Sequence, residues 1–176
     1  MNNKTLHICE KEVKVILRPA KLSDFDRILQ LNEEFVYYLN PMSKDQLSVY
    51  NSYAELNLVA EIDGKIEAFV LVFRENTDYG FITYALLKER YEKFIYVDRI
   101  VVSDKCQGLG VGSMLYDKIM EHARNTGISL VTAEVDSDPP NPVSLRFHEK
   151  FGFKNMGSIA VPGTDKSVAL QVAELQ

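Results

Sequence analysis

The sequence predicts an α/β fold with a mixed sheet in one domain, and three observations carry that expectation. Short apolar runs of strand length alternate with stretches of helical period. A glycine-rich turn, Gln107-Gly108-Leu109-Gly110-Val111-Gly112, links one such run, Phe94 to Val102, to one such helix, Val111 to Asn125. The chain has 176 residues, 46% hydrophobic and 26% charged, which suits one domain with one core.

The elements follow in order. Residues 1–12 read as a polar lead-in, which leaves 13–176 as the domain. Val13 to Leu17 alternates as a first strand and ends at Arg18-Pro19. Ser23 is expected to cap a helix that runs to Leu39, where Asn40-Pro41 stops it. Ser43 caps a second, weaker helix through about Leu56. Leu58 to Ile62 and Ile66 to Phe73 flank Asp63-Gly64-Lys65, and Asp-Gly is a strong hairpin signal because both residues tolerate left-handed φ. The segment from Arg74 to Lys93 is irregular, with a helix over about 83–93. Beyond the glycine turn and its helix, Ile128 to Asp136 is a strand, Val143 to Lys150 a short helix, and Phe153 to Val161 and Ser167 to Val172 the last strands.

Composition excludes several classes. The formal net charge of −5 and pI of about 5.3 disfavour nucleic acid as a partner. Cys9 and Cys106 stand far apart without CxxC spacing, so neither a disulfide framework nor a zinc site is indicated, and free thiols suit the cytosol. The start lacks the apolar core of a signal peptide, and the longest apolar run, Ala68 to Phe73, is too short to span a membrane. A soluble cytoplasmic protein without metal is expected. The glycine turn itself is a generic anion site, since glycines bring backbone N–H groups to a positive helix end; such turns also merely connect elements. A P-loop would need Gly-Lys-Ser/Thr, and Val-Gly-Ser-Met follows Gly110 instead. A dinucleotide fold fits poorly because the segment Ser103 to Gln107 intervenes after the strand and too little chain remains for further parallel strands.

The second half carries something more specific. Gln107 to Gly112 matches (Arg or Gln)-x-x-Gly-x-(Gly or Ala), and Asn141 to Phe153 (NPVSLRFHEKFGF) matches a later motif of Asn, a small residue, an aromatic and Gly-Phe. Together, in this order, they resemble the GNAT superfamily of acyl-CoA-dependent N-acyltransferases over residues 13–172. The resemblance implies a mostly antiparallel mixed sheet of about six or seven strands whose fourth and fifth strands splay apart. It implies acetyl-CoA as cosubstrate. Backbone groups of Ile100, Val101 and Val102 would pair with the pantetheine arm. Gln107, Gly108, Leu109, Gly110, Val111, Gly112 and Ser113 would cradle the pyrophosphate, with Asn141 and His148 as further contacts. A small-molecule or peptide amine would receive the acetyl group directly, and homodimers are common in the family.

Aminolysis of a thioester needs a base for the amine proton, donors for the oxyanion and a proton for the leaving thiolate. Asp98 and Glu134 are the base candidates, because an ionised carboxylate in an apolar strand needs a partner or a task. A structural ion pair with Arg99 or Arg146 is the competing reading. His148 stands where many family members carry a tyrosine acid; it could donate when charged or simply pack beside the cofactor. Tyr79, Tyr84 and Tyr96 are acceptor-pocket candidates, against core packing, Tyr84 and Tyr96 are also alternative proton donors, and Asp136 could draw a cationic amine to the mouth. Cys106 is an incidental loop thiol, since direct transfer needs no nucleophile. A binding module that senses acyl-CoA without turnover is the alternative function.

Overall fold

The protein is described from a computed structural model, which covers residues 2–8 and 11–175. It divides into two compact units, Met1–Val72 with Arg99–Ile119 and Phe73–Asp98 with Met120–Gln176.

The first unit begins with β1 (Asn2–Ile8) and β2 (Lys11–Pro19), which pair antiparallel from Asn2↔Leu17 to Ile8↔Lys11. The stretch expected as a lead-in therefore forms an edge strand; Cys9 lies outside the described residues. A 3-10 turn, Leu22–Asp24, precedes α1 (Phe25–Glu34), and α2 (Lys44–Tyr53) follows. Ser23 is not the cap of α1. Asp24 takes that region's hydrogen bonds, accepting from the Lys21 N–H at 2.8 Å and from the Arg18 guanidinium. The helix ends at Glu34 rather than Leu39, because residues 35–38 turn. Ser43 caps α2 as expected, in a reciprocal box with Gln46.

Strands β3 (Leu56–Ile62) and β4 (Lys65–Arg74) form the expected hairpin. Its two turn residues, Asp63 and Gly64, have φ of 49° and 78°, the left-handed pair that a tight hairpin turn requires. The apolar face of α1 (Phe25, Ile28, Leu31) packs with Leu47, Val59, Ile66, Phe69 and Val101 as this unit's core. Each such buried side chain contributes roughly 1.5–3 kcal/mol of transfer free energy.

The second unit holds α3 (Ile82–Arg90), the start of β5 (Ile95–Val102), the end of α4 (Val111–Asn125), β6 (Leu130–Asp138), α5 (Pro142–Lys150), β7 (Lys154–Ala160) and β8 (Ser167–Glu174). Strand order here is β5-β6-β8-β7, with β5 and β6 parallel and the later pairs antiparallel. In the first unit the order is β1-β2-β3-β4, and the Ser103 N–H bonds the Glu67 carbonyl at 2.8 Å, beside β4. The sheet is thus mixed and mostly antiparallel, as predicted, and β1 brings it to eight strands among the described residues. The register of β5 with β6 runs Ile95↔Val131, Tyr96↔Thr132 and Val97↔Ala133. Asp98 and Glu134 are the residues that follow the last pair. Among the described residues, no helix is long and apolar enough to cross a membrane.

Candidate active site

The glycine loop belongs to the first unit. A 3-10 turn, Asp104–Cys106, ends β5 and is closed by the Cys106 N–H on the Ser103 carbonyl at 2.8 Å. Gln107 turns its side-chain amide back onto the Val102 carbonyl (3.2 Å) and Asp104 (3.0 Å), so it braces the loop. Gly108 and Gly110 have φ of 77° and 82°, a region that residues with a Cβ rarely adopt. Nothing lies within 4 Å of an ideal Cβ at either glycine, so backbone conformation excludes other residues there while the space over the loop stays open. Val111 then starts a 15-residue helix, whose first N–H groups have no partner within the helix. Open space, exposed glycines and a positive helix end fit a pyrophosphate. Burial pushes the Cys106 thiol up, which makes it a poor nucleophile.

The carboxylates lie in the second unit. Side chains alternate along a strand, so the register puts Tyr96 and Asp98 on the same face of the sheet as Thr132, Glu134 and Asp136. The irregular segment before α3, and its first turn, cover that face. The Tyr79 hydroxyl donates to Asp98, and the Thr83 hydroxyl donates to Glu134. Thr132 is spent on the Ile95 carbonyl at 3.0 Å. Burial, followed by the nearby charges of Asp98 and Asp136, pushes the Glu134 carboxyl up to about 7, against the opposing pull of the Thr83 hydrogen bond. Asp136 is also raised by burial although Lys166 stands 3.4 Å away. That lysine offsets the charge expected to draw a cationic amine.

The tyrosines divide by role. Tyr84 pins the segment: its hydroxyl donates to the Arg74 carbonyl and accepts from the Thr77 N–H at 3.0 Å. Tyr79, Tyr84 and Tyr96 meet ring to ring, with centroids 5.4–5.9 Å apart. All three rings are buried. The Tyr96 hydroxyl faces Glu134 and Thr83 yet has no hydrogen-bond partner of ordinary geometry among the described residues.

Arg99, the competing ion-pair partner, lies on the opposite face of β5. In the first unit its guanidinium donates to Asn32 (2.7 Å) and to the Asn40 carbonyl (3.3 Å). Arg146 is exposed on α5. Asn141 caps α5, its side chain accepting from the Ser144 N–H at 3.1 Å. His148, one turn after Ser144, is 3% exposed, and its Nδ1 donates to the Ser144 carbonyl at 2.8 Å. That bond selects the tautomer whose Nε2 carries the lone pair. Burial pushes its pKa down to about 4, so the ring is neutral at neutral pH rather than a charged donor.

Thr83 is the residue that sequence reasoning missed. A threonine in an irregular stretch carries no motif, and its link to Glu134 spans 51 positions.

With the loop and cluster in place, the acetyltransferase (GNAT) family model matches residues 25–153, most of the chain. The chain belongs to the GNAT acetyltransferase family. The matched range includes the glycine loop, both carboxylates and His148. Several solved GNAT-like structures share the fold. Ard1 from Thermoplasma volcanium matches with a TM-score of 0.76 and 15% identity, covering 92% of this chain and 98% of its own. An N-acetyltransferase from Staphylococcus aureus Mu50 matches with a TM-score of 0.70 and 21% identity, over 92% and 99%. The yncA acetyltransferase from Salmonella typhimurium, solved with its cofactor acetyl-CoA, matches with a TM-score of 0.69 and 18% identity, over 92% and 94%. No curated protein sequence matches the chain.

Proposed function

We propose that this GNAT protein transfers an acetyl group from acetyl-CoA directly to a primary amine, with Glu134 as the base. The observation that carries this reading is the placement of Glu134. It follows the last β5–β6 pair, is hydrogen-bonded by Thr83, and is held at about 7 by burial beside two other carboxylates. A base near neutrality is poised both to take a proton and to give it up.

The cofactor assignment rests on the loop. Backbone N–H groups from Gly108 to Ser113 hold the pyrophosphate, with Gln107 bracing the turn, and Ile100 to Val102 offer strand backbone to the pantetheine. The family resemblance makes Asn141 and His148 candidates for further contacts with the cofactor. When bound, acetyl-CoA supplies an acyl thioester. The chain's own residues do the rest. Glu134 accepts the proton of the incoming ammonium. Asp98, held by Tyr79, lies beside it and favours a cationic acceptor. Tyr79 walls the acceptor side over the buried rings of Tyr84 and Tyr96. The neutral His148 offers a lone pair at Nε2, which suits a hydrogen bond from the thiol product.

The test supplies acetyl-CoA with a panel of primary amines: phenethylamine, a lysine peptide, a peptide with a free N-terminus and an aminoglycoside. Release of free thiol with at least one of them is expected. Saturable acetyl-CoA binding with no release for any would favour a sensor on the same fold.

A further inference from the structure

We infer that Thr83 is a positioning residue for Glu134, and that the first turn of α3 is thereby part of the proton-transfer machinery rather than only a cover over that face of the sheet. The inference rests on Glu134 being the base, as proposed above. Its geometry is independent of that reading. Thr83 is fully buried, and its hydroxyl is aimed at one carboxylate from a helix that contributes no strand to the sheet. A buried threonine in the first turn of a helix commonly turns its hydroxyl onto the preceding backbone. Here the hydroxyl crosses to β6 instead. Beside it the buried Tyr96 hydroxyl faces the same carboxylate with no ordinary partner of its own. Thr83 is therefore the stronger of the two hydroxyls beside Glu134 and the one whose hydrogen bond orients the carboxylate.

The polar groups acting on Glu134 come from β5, β6 and α3. Asp98, which accepts from Tyr79 of the segment before α3, and Tyr96 come from β5, Asp136 from β6 with Lys166 beside it, and Thr83 from α3 itself. Of these, Asp98 and Asp136 favour the protonated form, while the hydroxyls of Thr83 and, more weakly, Tyr96 favour the ionised form. Removing the Thr83 hydroxyl should raise the pH at which Glu134 ionises. Catalysis by an ionised base then moves its acid limb upward in pH, with little change at the alkaline plateau.

The experiment compares Thr83→Val, nearly the same shape without the hydroxyl, with Thr83→Ser, which keeps it. The first readout needs no acceptor: the Glu134 carboxyl is titrated by infrared difference spectroscopy, with Glu134→Gln identifying its band. The second is the pH profile of kcat/KM for whichever amine of the panel is acetylated. For Thr83→Val the Glu134 titration should move to higher pH, the rate at acid pH should fall about tenfold, and the alkaline plateau should stay within about twofold. Thr83→Ser should follow the parent. If Thr83→Val titrates like the parent, or if Thr83→Ser moves as far as Thr83→Val, the positioning role is overturned. If Glu134→Gln turns over at the parent rate, the base assignment falls, whatever the infrared titration shows for Thr83.

Discussion

The glycine loop and the carboxylate cluster are built from different material. The loop uses backbone: two glycines at φ of 77° and 82°, and the first N–H groups of α4. Its local order comes from contacts within a few residues, such as Gln107 on Asp104. The cluster uses side chains from two strands, a helix and an irregular segment, joined across 19 positions (Tyr79 with Asp98) and 51 positions (Thr83 with Glu134). Backbone recognition suits a part common to all acyl-CoA molecules. A side-chain cluster assembled by tertiary contact can change with each acceptor. The family resemblance accordingly speaks to the first region more than to the second.

The largest break in this comparison should come from the loop. Gly110→Glu puts a charge and a strained φ in the loop proposed to hold the pyrophosphate, and should weaken acetyl-CoA binding by about 100-fold or more in calorimetry. Unchanged affinity would remove the loop from cofactor binding. On the cluster side, Tyr79→Phe should lower turnover about tenfold and leave acetyl-CoA affinity alone, since only the hydroxyl on Asp98 is lost. An equal loss of affinity would mean that the two regions are not separable.

His148 sharpens the comparison more gently. Its neutral ring makes it a hydrogen-bond partner, so His148→Phe should lower turnover by less than about tenfold and leave the pH profile between 5 and 8 unchanged. A limb near 6.5 that vanishes in the variant would restore it as the acid.

The smallest effect is on stability, and its sign is specific. The folded chain holds Glu134 at about 7 against an ordinary 4.5, so folding takes up a proton between those values. Stability from this group is present below about 4.5 and is lost as pH rises through about 7. Glu134→Gln should therefore gain about 1–3 kcal/mol over the parent at pH 8 and almost nothing at pH 4, read by denaturant melts. His148 acts oppositely: its folded pKa is depressed, so acid below about 6.5 destabilises the chain down to about pH 4. A Glu134→Gln gain that persists undiminished at pH 4 would contradict the burial argument.

Much of the fold was legible because its signals are local. Asp63-Gly64 announces its hairpin, Ser43 its cap, and the α4 stripe its helix. Where local signals were weak or competed, the reading slipped. The polar stretch 2–8 lacks an apolar rhythm and becomes a strand only by pairing with β2. The apolar positions through Leu39 keep helical spacing, but the chain turns after Glu34, and Arg99 reaches in from β5 to hold the Asn40 carbonyl. In the site, the strand carboxylates stood out as charges in apolar runs. What they do was hidden, because their partners Tyr79 and Thr83 lie in the segment with the least periodicity. The same distance in sequence concealed that Arg99 is held by Asn32 and the Asn40 carbonyl.

The central claim is that the chain binds its donor with one region and removes the acceptor's proton with the other. It is tested most directly by Glu134→Gln, measured for acetyl-CoA affinity and for thiol release with an accepted amine at pH 7. The account predicts affinity within about twofold of the parent and turnover reduced by a factor on the order of 100 to 10,000. Parent-level turnover, or a loss of acetyl-CoA affinity as large as the loss of rate, would contradict it.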